Sequence, residues 1–371
     1  MQFSKPFENA YTYLANDIEA WNPASTYDTP AQSSSYIDES SEVLLNRNDA
    51  KCKQRLLLAY YILDQQHSTL FGRPKTTCLS SPGTSLPFVP SQIYWDAPIS
   101  EQPPEVVDYS YIYEALEAVP IMSEPAQFPH DPFRSMVVMA CMIDSCNNPA
   151  VLPCIADDDS DLARILYAVE QSPRMKLVYH TFMLCRHTPI RDLLACAGES
   201  WIMAEKMSNQ AEYTAAQVLT REWAEGLSVP SFDMQGRSPI QRAVYHALAI
   251  IELHQSFART DSLFQEWSIY LAAVVLWARA YVLDSSPRRP SVAVPSPTEP
   301  RMSTHELDQA VTALVQSSNA INISRREAKH ALLWVKEKIM MVDVPHNCGL
   351  TNGALDVLGK LVTRGHEKDW F

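Results

Sequence analysis

The sequence predicts an all-α protein, a large irregular multi-helix bundle, and three observations carry that expectation. Every position from 56 to 63 is apolar or aromatic, and a helix that is greasy around its whole circumference has to be enclosed by other elements. Further along, Ile240, Ala243, Val244, Ala247, Leu248, Ile251 and Leu253 keep roughly the helical period, which gives one broad buried face. Helix punctuation also recurs: Gly72 and Pro74 stop the apolar run, and Ser324 with Glu327 reads as a capping box.

In chain order, residues 1–48 read as a leader, partly disordered, with a short helix over 8–21 and a run rich in Ser and Thr over 22–41. Residues 49–284 read as the helical core. Its first and central helix starts near Lys51, and the Pro-dotted segment 75–104 is too broken for a long regular element. Further helices are expected over 106–119, 132–144 and 162–170, then onward from Thr188 and Pro189, a cap and first-turn pair. Three more follow over 211–226, 239–257 and 261–284. Residues 285–303 hold five prolines and no periodicity, and read as a linker or exposed loop. Residues 304–371 supply C-terminal helices over 304–317, 324–341 and 352–363 that pack on the core.

The chain has 371 residues, enough for a substantial core. Its formal charge is −13, from 30 basic and 43 acidic side chains, so the whole molecule repels a phosphate backbone. The eight cysteines stand at 52, 78, 141, 146, 154, 185, 196 and 348, with no Cys-x-x-Cys pair. No zinc clip is therefore encoded, and reduced thiols in the cytosol or nucleus are expected. The first 21 residues show no apolar core flanked by a cleavage site, so no secretory signal is expected. The most apolar stretch, 267–283, carries Arg279 and only reaches the lower limit for crossing a bilayer. It reads as a buried core helix, with no membrane as partner.

Several residue groups invite chemistry, and each has a simpler structural reading. Asp157, Asp158 and Asp161 form the Asp-Asp-x-x-Asp pattern with which class I terpene synthases hold magnesium against diphosphate. The second metal motif of such enzymes has its nearest candidate at Asn319, Ser324 and Glu327, with the wrong spacing. The acidic run therefore reads as the N-terminal cap of helix 162–170. His180, Cys185 and His187 lack a fourth zinc ligand at suitable spacing, and His246, Glu252 and His254 do not make His-Glu-x-x-His. Gly353, Gly359 and Lys360 fail as a phosphate loop because Ala354 and Leu361 stand at required positions. Residues 198–202 lack the closing glycine of a nucleophile elbow. No catalytic, cofactor-binding or metal residue is assigned, and the chain is not expected to be an enzyme.

Four motifs share one further property. Arg55, the apolar run 56–62, Leu63 and Asp64 lead to Gly72, Arg73 and Pro74. Leu86, Pro87 and Phe88 precede Trp95 and Ala97. His187, Pro189, Arg191, Asp192, Leu193, Leu194 and Ala195 are followed by Gly198, Glu199, Ser200 and Trp201, and Ala354, Val357, Leu358 and Leu361 by Trp370 and Phe371. Together they resemble the fungal-specific transcription-factor regulatory domain, the middle homology region, of the kind attached to pairs of two-Cys-two-His zinc fingers. The resemblance covers about 51–371.

That resemblance implies a nuclear regulator of RNA polymerase II transcription whose helical domain acts through protein–protein contacts. Its partners would be the transcription machinery or a related regulator, and a homo- or heterodimer is one form of such contact. Zinc is implied only for the family's DNA-binding module, which has no counterpart here, so direct DNA binding by this chain is not expected. Two other functions stay open beside it: a magnesium-dependent prenyl diphosphate enzyme using Asp157, Asp158 and Asp161, and a helical adaptor.

Overall fold

A computed structural model describes residues 41–72, 132–147, 173–198, 209–227, 238–256, 263–284, 302–317, 322–341, 349–365 and 370–371. Ten α-helices and no strand lie among these residues, so the chain is all-α. The helices are α1 Ser41–Phe71, α2 Pro132–Asn147, α3 Pro173–Arg186, α4 Ile190–Ala197 and α5 Gln210–Glu225. Then come α6 Pro239–Ser256, α7 Leu263–Asp284, α8 Thr304–Gln316, α9 Arg325–Met340 and α10 Gly349–Arg364. The expected helices over 8–21, 106–119 and 162–170 lie outside the described residues, as does the linker over 285–301. Two compact units divide the chain: one holds residues 69–73 and 176–371, the other 2–68 and 74–175.

In the unit holding 2–68 and 74–175, α1 begins at Ser41, ten residues before Lys51 and inside the stretch read as leader. It also corrects the expectation of a helix enclosed on all sides. Leu57, Leu58, Tyr60, Tyr61 and Ile62 are buried, but Leu56 is 58% exposed and Leu63 52% exposed. The physical reason is phase. Gln54, Leu57, Leu58, Tyr61, Asp64 and Gln65 recur at helical spacing and form the buried side. Leu56 and Leu63 lie two turns apart on the other side. Asp64 and Gln65, where polarity returns in the sequence, are buried with the core. The Arg55 guanidinium lies 4.7 Å from the centroid of the Phe133 ring on α2, a cation–π contact.

In the unit holding 69–73 and 176–371, the enclosed helix is α7. Every residue from 265 to 278 on it is buried, because α4, α5, α6, α9 and α10 all pack against it. The segment 264–284 is long and apolar enough to cross a membrane by length and composition, and 83% of its 18-residue apolar window is covered inside the structure. Arg279, the one charge within 267–283, donates from Nη1 to the carbonyl of Ala224 at 2.7 Å. It thereby meets the last turn of α5, where the helix dipole favours a cation, although burial pulls its pKa down.

The C-terminal helices belong to the same unit: α9 packs on α7, α8 and α10. Ser324 and Glu327 form the predicted capping box of α9, with the Glu327 amide donating to Ser324 Oγ at 3.3 Å and the Ser324 amide to Glu327 Oε2 at 2.8 Å. A second box, Ser303 with Glu306, starts α8. These hydrogen bonds hold the Glu306 carboxyl below its ordinary pKa. The α4 start differs from expectation: Pro189 is the N-cap residue, no side chain caps the helix, and Thr188 is buried.

Candidate functional site

Two of the sequence motifs meet at the end of α1. Gly72 takes a left-handed backbone, φ +60°, and a Cβ there would lie 3.6 Å from the Arg191 nitrogen and 3.9 Å from Ile190 Cβ. The turn therefore requires glycine for its backbone rather than for lack of space. Trp267 of α7 donates its indole N–H to the carbonyl of Leu70 at 3.4 Å, and its ring lies 5.2 Å from that of Phe71. The chain thus leaves α1 pinned against α7 and the first turn of α4.

Helix α4 buries Ile190, Leu193, Leu194, Cys196 and Ala197 and ends at Gly198, φ +97°. Arg191 points to solvent and Asp192 is half-buried. Burial raises the Asp192 carboxyl above its ordinary pKa, opposed by the Arg191 charge and a backbone hydrogen bond. The residues before α4 are fixed by Trp223, whose indole N–H donates to the His187 carbonyl at 2.7 Å.

His180, Cys185 and His187 do not converge as a ligand set. Instead His180 Nδ1 lies 2.9 Å from Nδ1 of His246, a residue 66 positions away on α6. One ring must carry the Nδ1 proton and the other the lone pair, so the contact holds the two imidazoles in opposite tautomers. Burial, helped by the Lys176 charge, lowers His180 to about 4, so it is neutral at neutral pH. His187 stacks on His246 with ring centroids 6.2 Å apart and 15° between planes. Tyr179 and Tyr245 close the aromatic cluster edge-on, 5.9 and 5.1 Å from His246. Burial pushes the Cys185 thiol up, which keeps it protonated and poorly suited to metal. His254 faces Trp334 at 5.7 Å. Among the described residues, no group of three or more His, Cys, Asp or Glu is placed to hold a metal ion.

The other sequence candidates fall in two groups. Asp157, Asp158 and Asp161 lie outside the described residues, as do Trp95, Ala97, Glu199, Ser200 and Trp201. Gly353 and Gly359 sit inside α10, a continuous helix with no loop to cradle a phosphate.

The fourth motif forms the most elaborate constellation, largely through residues the sequence does not flag. Ala354, Val357, Leu358 and Leu361 are buried on α10, and Trp370 and Phe371 are only 4% and 3% exposed. Trp277 of α7 meets both terminal rings edge-on, 5.6 Å from Trp370 and 5.8 Å from Phe371. Tyr281 lies 4.9 Å from Phe371, and its hydroxyl accepts from the Trp370 amide at 3.3 Å. From α5, Gln217 donates to the Trp370 carbonyl at 2.8 Å and Arg221 to the carbonyl oxygen of Phe371. Gly365 makes the junction possible. A Cβ there would stand 2.7 Å from the Trp277 indole nitrogen and 2.2 Å from the Leu361 carbonyl oxygen, inside any real contact.

No family model, no curated protein and no solved structure matches the chain.

Proposed function

We propose that this chain is a helical regulatory domain that controls RNA polymerase II transcription in the nucleus through contacts with other proteins. The observation that supports this reading is the junction at Gly72. Two of the segments that carry the resemblance, 70–72 and 190–197, pack on one another although more than a hundred residues separate them. A formal charge of −13 opposes direct DNA contact. Protein partners, by contrast, have apolar helix surface to meet: Val218 and Leu219 on α5 are 50% and 51% exposed.

Two assays test the proposal. Fused to a heterologous DNA-binding module, the chain should change transcription of a reporter, and alone it should show no sequence-selective binding to a labelled DNA library. Tight selective DNA binding by the chain, or an unmoved reporter together with recovery of only cytosolic proteins in pull-downs, contradicts it. Magnesium-dependent turnover of a prenyl diphosphate, abolished by Asp157→Ala, would replace it with the enzyme reading.

A further inference from the structure

We propose that the cleft between α5, α7 and the end of α10 is a peptide-recognition site. Its ligand is a Trp-Phe dipeptide, held here in cis by residues 370–371 as a separable latch. This inference is independent of the transcriptional reading.

The manner of binding is that of a captured peptide. Core side chains on helices bury their apolar atoms while their own helix satisfies their backbone. Trp370 and Phe371 stand outside α10, and side chains of other helices satisfy their backbone. Tyr281 takes the Trp370 amide, Gln217 serves the Trp370 carbonyl, and Arg221 serves the Phe371 carbonyl. Backbone capture of this kind reads a peptide irrespective of its side chains. Selectivity then comes from the aromatic walls. Trp277 stands at 86° to the Trp370 ring and 84° to the Phe371 ring, the edge-to-face arrangement that aromatic pairs prefer.

The cleft and α10 are also coupled. The Trp370 indole N–H donates to the Arg364 carbonyl at 3.3 Å, and that of Trp277 to the Gly365 carbonyl at 3.1 Å. Both are acceptors that a helix end leaves without an intrahelical partner. Docking the dipeptide therefore also finishes α10. Only four residues, 366–369, separate α10 and Gly365 from the dipeptide. Docking of the dipeptide is therefore intramolecular, and weak intrinsic affinity suffices to keep the latch closed.

The test uses the full-length chain. In the double variant Trp370→Ala, Phe371→Ala the cleft is vacated, and a fluorescent peptide with the sequence of residues 366–371 is titrated against it by anisotropy. The double variant should keep the wild-type helical circular dichroism and bind the peptide at least about tenfold more tightly than wild type, whose cleft is filled. Adding Arg221→Ala and Gln217→Ala, or replacing the peptide's tryptophan by alanine, should weaken binding by about tenfold or more. Equal binding by wild type and double variant, or no saturable binding by a folded double variant, overturns the proposal. Loss of the helical signal in the double variant overturns it too, because a receptor survives removal of its ligand and a core does not survive removal of its aromatics.

Discussion

Two apolar helical stretches, 56–63 on α1 and 269–278 on α7, look alike in composition and differ in what surrounds them. On α7 no residue in the stretch reaches solvent, and five other helices pack against it. On α1 the buried side is broad, yet Leu56 and Leu63 stand more than half exposed. An apolar run states that a helix has something to bury. It does not state that partners exist on every side, because that depends on how many other helices the fold brings to it.

The contrast breaks most visibly at Trp277. Its ring fills the space between α10, Trp370 and Phe371, so Trp277→Ala should cost about 3–5 kcal/mol, measured by urea denaturation. A loss no larger than that from a surface substitution would mean that α7 is not the enclosed helix.

A second probe lies on α3, one position before Thr181, whose hydroxyl donates to Ser268 of α7 at 3.0 Å. His180 has its pKa lowered from 6.5 to about 4, so the unfolded chain takes up its proton first as pH falls. The resulting stability is complete above pH 6.5 and is lost as pH drops toward 4. The loss amounts to about 3 kcal/mol. Denaturation midpoints of wild type and His180→Gln across that range should converge at low pH as the wild type loses its advantage. Parallel profiles would contradict the buried neutral pair with His246.

A smaller effect is expected at the α1 exit. Gly72→Ala forces a Cβ into φ +60° without a steric clash, which should destabilise by about 1 kcal/mol. Smallest of all, Leu63→Ser on the open side of α1 should change stability by no more than about 0.5 kcal/mol. A cost of several kcal/mol there would restore the fully enclosed helix that the sequence suggests.

How much of this was legible in the residues differs from place to place. The all-α class follows from helical periods such as Ile240 through Ile251 on α6, and the α9 start from Ser324 and Glu327. The Ser303–Glu306 box carried the same signal but sits at the edge of a Pro-rich stretch, which masks it as loop. The exposure of Leu56 and Leu63 was hidden because a run with no polar residue has no phase to read. Pairings over long separations were hidden for another reason. His180 with His246, and Arg221 with Phe371 at 150 positions, are products of tertiary packing, with no local spacing to announce them. Gly365 escaped notice since its role is set by Trp277 across the fold.

Hydroxyl-radical footprinting of the intact chain, read residue by residue, tests the contrast between the two helices most directly. Leu56 and Leu63 should be labelled several-fold faster than Leu271 and Leu276, which are 1% and 0% exposed. Equal protection of all four leucines, or faster labelling on α7, would contradict it.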